Sequence, residues 1–156
     1  PYPGFNAVYK QFKTEWNKYS SFLKEENKVD DSIVNHLELT YIDHIHTGDL
    51  WKNINDIAKV INFFKRPITK EQIPIDRFNT FFTLSTEDGE LTYLVRNGTK
   101  IATKKTVLVL ELTMRKKYNI NENFDSWFIK AHDHIAKIFI ESLTKTALEK
   151  WGYQKK

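Results

Sequence analysis

The chain has 156 residues, which suits one domain with a single apolar core. Hydrophobic residues make up 40% and aromatics 14%, against five glycines and four prolines, which excludes a disordered or low-complexity protein. The absence of cysteine excludes disulfides, zinc sites with thiolate ligands and cysteine nucleophiles. The net charge of +4 is spread along the chain, which makes nucleic-acid binding only a weak alternative.

An amphipathic helix is predicted from Phe5 to Leu23. Apolar residues recur there at spacings of three and four, which places them on one stripe of a helix. The pair Pro3-Gly4 precedes the helix, and a polar segment from Lys24 to Asp31 follows it. The stripe consists of Phe5, Val8, Tyr9, Phe12, Trp16, Tyr19 and Leu23.

A half-buried strand is predicted from Ile33 to about Ile45. Leu37, Leu39 and Tyr41 point to one face by their alternation, and the residues between them point to the other. The residues assigned to the other face are His36, Glu38, Thr40 and Ile42.

A second helix, Trp51–Phe64, is predicted to cross between strands. Asp49 is a suitable N-cap, and Arg66-Pro67 would close the helix because proline disfavours helical geometry in the residue before it. Its apolar positions are Leu50, Trp51, Ile54, Ile57, Val60, Ile61 and Phe64.

Three strand-like runs follow in close order and indicate an antiparallel meander. Asp88-Gly89 between the first two predicts a tight hairpin, and Asn97-Gly98 would begin a longer connection to the third. The third run includes Val107–Leu112, whose apolar residues on both faces are typical of a central strand. The runs are Arg77–Ser85, Glu90–Arg96 and Thr106–Met114.

One long helix is predicted from Phe124 to about Trp151, with an apolar stripe wide enough to lie between the sheet and the first helix. The fold class that follows is α+β, in a single domain covering residues 1–156. An antiparallel sheet of at least four strands packs against a long N-terminal and a long C-terminal helix, with one crossing helix. The stripe consists of Trp127, Phe128, Ala131, Ile135, Ile138, Phe139 and Ser142.

Four of the five histidines form two His-x-His pairs. On a strand, His44 and His46 would share a face with Cα atoms about 6.7 Å apart, near enough to reach one ion. On a helix, His132 and His134 would lie about 200° apart, so they cannot chelate one ion together. No metal site is therefore predicted. We expect His44 and His132 to be buried and bound to neighbours, with His46 and His134 in solvent.

Motifs of several enzyme classes are missing from the sequence. It has no glycine-rich phosphate loop, no G-x-S-x-G elbow and no Rossmann fingerprint. No apolar run approaches the roughly 18 residues that cross a bilayer, and Pro1–Phe5 lacks the basic and apolar regions of a signal peptide. We expect a cytoplasmic protein without a cofactor and without a membrane partner.

Three segments together resemble a sporadically distributed, uncharacterised prokaryotic protein family. They are Tyr2–Phe5 before the aromatic-rich helix, Leu37–Ile45, and Ala131–Phe139 with the late Glu149–Gly152. Members commonly carry Tyr-Ile-Asn-His where this chain has Tyr41-Ile-Asp-His44, so Asp43 puts in doubt any role that needs an amide there. The resemblance covers the chain from end to end and implies that it is the C-terminal two-thirds of a longer protein.

The resemblance implies no established activity. A patchy distribution is typical of genes for bacterial defence or toxin–antitoxin pairs, which is an association rather than a mechanism. The N-terminal part of the family has further strand-like segments. If those segments pair with this sheet, we expect an open edge or an uncovered apolar groove here, which would invite oligomerisation.

Two functions of different classes remain open beside weak nucleic-acid binding. The first is a non-catalytic module that binds a protein partner or a second copy of itself. The second is an enzyme or small-ligand-binding domain with a pocket between the sheet and the C-terminal helix, where Tyr41, His44 and His132 would converge with Asp43 beside them. No catalytic residue is assigned. If His44 and His132 face each other, a structural hydrogen bond is expected before catalysis.

Overall fold

The computed structural model describes residues 3–26, 34–48, 50–64, 75–119 and 121–153. The fold is α+β, as predicted, with an antiparallel sheet in the order β1-β4-β3-β2. Its strands are β1 (His36–His46), β2 (Asn79–Thr86), β3 (Gly89–Lys100) and β4 (Lys105–Lys117). Its helices are α1 (Phe5–Glu25), α2 (Phe124–Ser142) and α3 (Lys145–Lys150), with a 3₁₀ helix at Ile54–Lys59.

The core is built around β4, which lies between β1 and β3. The sheet has two faces. The core face packs against α2, and we call the opposite one the open face. Val107 and Val109 are buried on the open face as well, so the predicted central strand is confirmed. The buried core-face residues of β4 are Leu108, Leu110, Leu112 and Met114.

The tight hairpin predicted at Asp88-Gly89 is confirmed, with Thr86 paired to Gly89 across a two-residue turn. Gly89 has φ +131°, and a Cβ there would lie 2.4 Å from the Arg115 carbonyl oxygen, so this position requires glycine. The connection predicted at Asn97-Gly98 is wrong, because β3 runs on to Lys100. Asn97 is a strand residue whose side-chain oxygen accepts the Phe78 N–H at 2.7 Å.

The helix predicted for Trp51–Phe64 is wrong in extent, since only Ile54–Lys59 is helical and it is a 3₁₀ helix. Ile54, Ile57 and Val60 are all buried. Their spacing of three matches the period of a 3₁₀ turn, which places them on one side. The predicted cap Asp49 and the closing Arg66-Pro67 lie outside the described residues.

The single long C-terminal helix is also wrong, because α2 ends at Ser142 and Leu143 is extended. Leu143 forms a β-bridge with Ile61. Next to it the Thr144 N–H donates to the Val60 carbonyl at 2.8 Å. These bonds to a distant segment replace the helical ones, and the Thr144 side chain then caps α3 by accepting the Ala147 N–H.

The predicted helix α1 is confirmed, yet none of its residues is buried. Its stripe contacts α2 through stacked and tilted rings and leaves Val8 45% and Phe12 40% exposed. The prediction that α2 lies between the sheet and α1 is confirmed. Among the described helices, none combines the length and apolar character that a bilayer crossing requires.

Candidate binding groove

A cavity of about 590 Å³ lies between α1, α2 and β1. A second cavity of about 570 Å³ adjoins it, because Phe12, Glu38 and Phe128 line both. We call the two together the β1 groove. From the helices, the first cavity is lined by Phe5, Val8, Tyr9, Phe12, Phe128, Ile135 and Phe139.

The β1 groove opens along the free edge of β1. All six consecutive residues from Glu38 to Asp43 line the first cavity, although alternate side chains of a strand point to opposite faces. Strand backbone therefore borders the cavity. No other described strand pairs with this side of β1, which ends the sheet.

The hydrogen-bond pattern shows which backbone groups face that edge. Asn35 lies opposite Tyr118, and its carbonyl accepts the Tyr118 N–H at 2.9 Å. Because bonded and non-bonded pairs alternate in an antiparallel ladder, Leu39 and Tyr41 bond to β4. The N–H and C=O groups of Glu38, Thr40 and Ile42 consequently point to the free edge.

The roof of the groove is α1, which is fixed to α2 by polar contacts. The Tyr9 hydroxyl donates to Asp125 Oδ1 at 2.5 Å, and the Lys13 ammonium donates to Asp125 Oδ2 at 2.7 Å. These two bonds hold the pKa of Asp125 below its ordinary value, while burial and Asp125 raise the pKa of Tyr9. Since α1 has few other polar contacts to α2, this cluster sets its position over the groove.

Of the predicted pocket residues, Tyr41 and His132 meet. The Tyr41 hydroxyl and His132 Nδ1 are 2.8 Å apart, and the His132 ring stacks on Phe5 at 4.2 Å between centroids. One imidazole thus joins β1, α2 and the start of α1. His132 is half-buried rather than buried, but the expectation that it is bound to neighbours is confirmed, and its contacts position the groove walls.

The prediction that His44 joins this pocket is wrong. His44 pairs with Val109 on the open face and is exposed, whereas Tyr41 pairs with Leu112 on the core face. The period of two along a strand separates the two side chains by the thickness of the sheet. His44 and His132 therefore do not face each other.

Asp43 lies on the core face at the end of the groove. Burial raises the pKa of its carboxyl, and the nearby His44 offsets this only in part. Among the described residues it forms no hydrogen bond or ion pair. A half-buried carboxylate in this state favours a cationic group from a ligand.

Of the remaining histidines, His36 lines the second cavity, whereas His46 and His134 line neither. His134 was expected in solvent, which is wrong, because its Nε2 lies 3.1 Å from Asp88 Oδ2 in the β2–β3 turn. His46 is exposed, as expected. Across the described ranges, no three His, Asp or Glu side chains come close enough to hold a metal ion.

The sequence did not identify the groove itself. Its helical walls are apolar residues of the α1 and α2 stripes, which the spacing assigned to the core. The sequence does carry one indication of the groove, because α1 has more apolar residues than its contact with α2 can cover. The position of β1 at an edge depends on strand order, which local sequence does not encode.

Comparison with known proteins gives no assignment, and the family resemblance of the sequence stays a prediction. No protein-family model, curated protein or solved structure matches the chain.

Proposed function

We propose that this protein is a non-catalytic binding module that takes up an extended segment of a partner protein as a fifth strand. The segment pairs with the free edge of β1 and lies beneath α1. The observation that carries the proposal is the run Glu38–Asp43, whose backbone edge borders an apolar cavity over its whole length.

Backbone pairing supplies affinity that does not depend on the partner's sequence. The outward N–H and C=O groups of Glu38, Thr40 and Ile42 can each bond to an added strand. A net stabilisation of about 0.5–1.5 kcal/mol per hydrogen bond is typical in proteins. Peptide recognition by strand addition uses this source of affinity.

Apolar burial supplies the remaining affinity. An added strand places every second side chain on the core face, beneath the half-exposed Val8 and Phe12 of α1. Burying one large apolar side chain contributes about 1.5–3 kcal/mol. The incoming strand would also cover the α1 stripe, which the chain alone leaves open.

Asp43 gives the proposal a sequence preference. Side chains of the partner opposite Leu39 and Tyr41 point into the apolar part of the groove. The side chain opposite Asp43 points to a half-buried carboxyl of raised pKa. The preferred segment therefore has three side chains at alternate positions that point into the groove. Those opposite Leu39 and Tyr41 are apolar, and the one opposite Asp43 is a lysine or arginine.

Selection of random linear peptides displayed on phage, followed by affinity measurement in solution, tests this function. Selected peptides should show the alternating pattern, and methylation of alternate peptide amides should abolish their binding. Ile42→Pro removes an edge-facing N–H and should weaken binding at least about tenfold. Phe81→Pro is the matched control, since it makes the same change on the other edge of the sheet. Equal loss in both variants, or no loss in either, contradicts strand addition at β1.

A further inference from the structure

The opposite edge of the sheet, β2, has a different chemical character. Its eight residues, Asn79–Thr86, include no charged side chain and no proline. Phe81 is 67% exposed, and Phe82 and Leu84 are each 37% exposed. Proteins usually protect edge strands with charge, proline or a cover, so an uncharged apolar edge indicates a partner strand.

The backbone groups of β2 that face outward follow from its pairing with β3. The Asn97 N–H donates to the Phe78 carbonyl at 3.1 Å, and these residues lie opposite each other. By alternation, Phe82 and Leu84 also bond to β3. The outward N–H and C=O groups belong to Asn79, Phe81, Thr83 and Ser85.

This edge is complementary to itself about a twofold axis through Phe82. In that antiparallel arrangement Phe81 of each copy exchanges hydrogen bonds with Thr83 of the other, and Phe82 lies opposite its own symmetry mate. Aromatic and β-branched cross-strand pairs of this kind are favourable. Each Phe82 ring already stacks on Tyr93 at 5.0 Å and meets the edge of Phe63 at 5.7 Å, so two aromatic clusters would join at the axis.

Charge at the two ends of β2 fits the same register. Arg77 lies two residues before β2 and Glu87 is the first residue of the turn after it, each five positions from Phe82, so the twofold axis brings the Arg77 end of each copy near the Glu87 end of the other. Within the part of the chain that the structure describes, neither residue forms an ion pair. Opposite charges near both ends favour this register over one shifted by two residues.

We propose that two copies of this chain associate through β2 into a continuous eight-stranded antiparallel sheet centred on Phe82. The interface is closed, because a twofold axis uses the same strand in both copies. The two β1 edges then form the outer ends of the sheet. A dimer thus presents two β1 grooves, and partners with two copies of the binding segment would gain avidity. The dimer itself does not depend on the function proposed for the groove.

Sedimentation velocity over a range of protein concentrations tests the dimer. The expected species has twice the 18.5 kDa mass of the chain and forms reversibly. Phe81→Pro should leave a monomer, whereas Ile42→Pro, at the other edge, should leave the dimer intact. A monomer at every concentration, or growth of the wild-type protein beyond the dimer, overturns the proposal.

Charge reversal tests the register without disturbing the fold. Arg77→Glu and Glu87→Arg should each raise the dimer dissociation constant about tenfold, since two attractive pairs become repulsive. The double variant Arg77→Glu/Glu87→Arg should recover an affinity close to that of the wild type. Failure of the double variant to recover, or single variants that dimerise like the wild type, contradicts pairing about Phe82. Circular dichroism of each variant confirms that the fold is retained.

Discussion

Ile42 and Phe81 lie in one row across the sheet, on its two opposite edges. Ile42 pairs with Glu111, Glu111 with Leu94, and Leu94 with Phe81. Both side chains are exposed on the open face, and both backbone N–H groups point away from the sheet. The edge at Ile42 borders an apolar groove, whereas the edge at Phe81 carries a side chain that is 67% exposed. The same sheet therefore offers two edges to two kinds of partner.

Truncation of Phe12 should reduce peptide binding far more than stability. Phe12 lines both cavities and contacts Phe128 with ring centroids 5.3 Å apart. Since the side chain is half exposed, Phe12→Ala should cost only about 1–2 kcal/mol of unfolding free energy, less than a fully buried ring. Affinity for a selected peptide should fall at least about tenfold.

Tyr19→Ala is the control for this change, because Tyr19 lies on the same helix and is exposed without lining either cavity. Urea denaturation and isothermal titration calorimetry measure the two effects. Equal binding by both variants would mean that the β1 groove does not hold the peptide.

Peptide binding should weaken as the pH falls. The pKa of Asp43 is raised above 3.8 by burial, and only the ionised carboxylate pairs with a basic peptide residue. The attraction is therefore present above the raised pKa of the carboxyl and is lost as the pH falls through it. Fluorescence anisotropy from pH 7 downward, with about one measurement per half unit, resolves this change.

Asp43→Asn supplies the control for the pH profile, because it removes the carboxyl whose ionisation the prediction depends on. This variant should bind the basic peptide more weakly at neutral pH and lose the Asp43 part of the pH dependence. It should also be more stable than the wild type at neutral pH, because burial disfavours the charged form. An unchanged pH profile in Asp43→Asn would assign the dependence to another group.

Loss of the Tyr41 hydroxyl should destabilise the protein modestly. Tyr41→Phe removes the 2.8 Å bond to His132 Nδ1 and leaves a part-buried ring nitrogen without that partner. We expect a loss of about 1–2 kcal/mol and a Tm lower by several degrees. Thr40→Val is the comparison, because its bond to Thr113 is exposed and should contribute less. Thermal denaturation measures both, and equal shifts would contradict the structural role given to His132.

The β2–β3 turn should contribute stability that disappears in acid. Burial opposes ionisation of Asp88, but hydrogen bonds from Lys130 and His134 outweigh it and lower the pKa. A lowered pKa stabilises the fold above the ordinary value of 3.8, and this part is lost as the pH falls below it. Asp88→Asn should therefore cost about 1 kcal/mol at pH 7 and much less near pH 3.

Urea denaturation of wild type and Asp88→Asn at both pH values measures the difference. The Trp127 indole N–H donates to the Asp88 backbone carbonyl at 2.7 Å, so the turn stays attached to α2 in the variant. A difference between the two proteins that does not depend on pH would assign the effect to packing.

Local periodicity predicted much of this fold. The stripe on α1, the alternation on β1 and the apolar run of β4 each depend on neighbours a few residues away, so sequence spacing reveals them. The two wrong helix predictions have one shared cause. Ile61 and Leu143 form a bridge between segments far apart in sequence, which ends α2 and keeps the helix before Ile61 short.

The candidate site was predicted in part. Tyr41 and His132 meet, as predicted. The prediction that His44 joins them conflicted with the alternation along β1, which already assigned His44 to the opposite face. The free edge of β1 depends on strand order, and strand order is a property of the whole chain. For that reason the sequence pointed to a pocket and the structure shows a groove along a strand.

Amide hydrogen exchange at Thr40 and Ile42, followed by NMR, tests strand addition most directly. In the free protein these two amides should exchange much faster than those of Leu39 and Tyr41, which bond to β4. A bound peptide should slow exchange at Thr40 and Ile42 at least about tenfold and leave the β2 edge at Phe81 unchanged. Binding that leaves Thr40 and Ile42 as fast as in the free protein would contradict the proposed function.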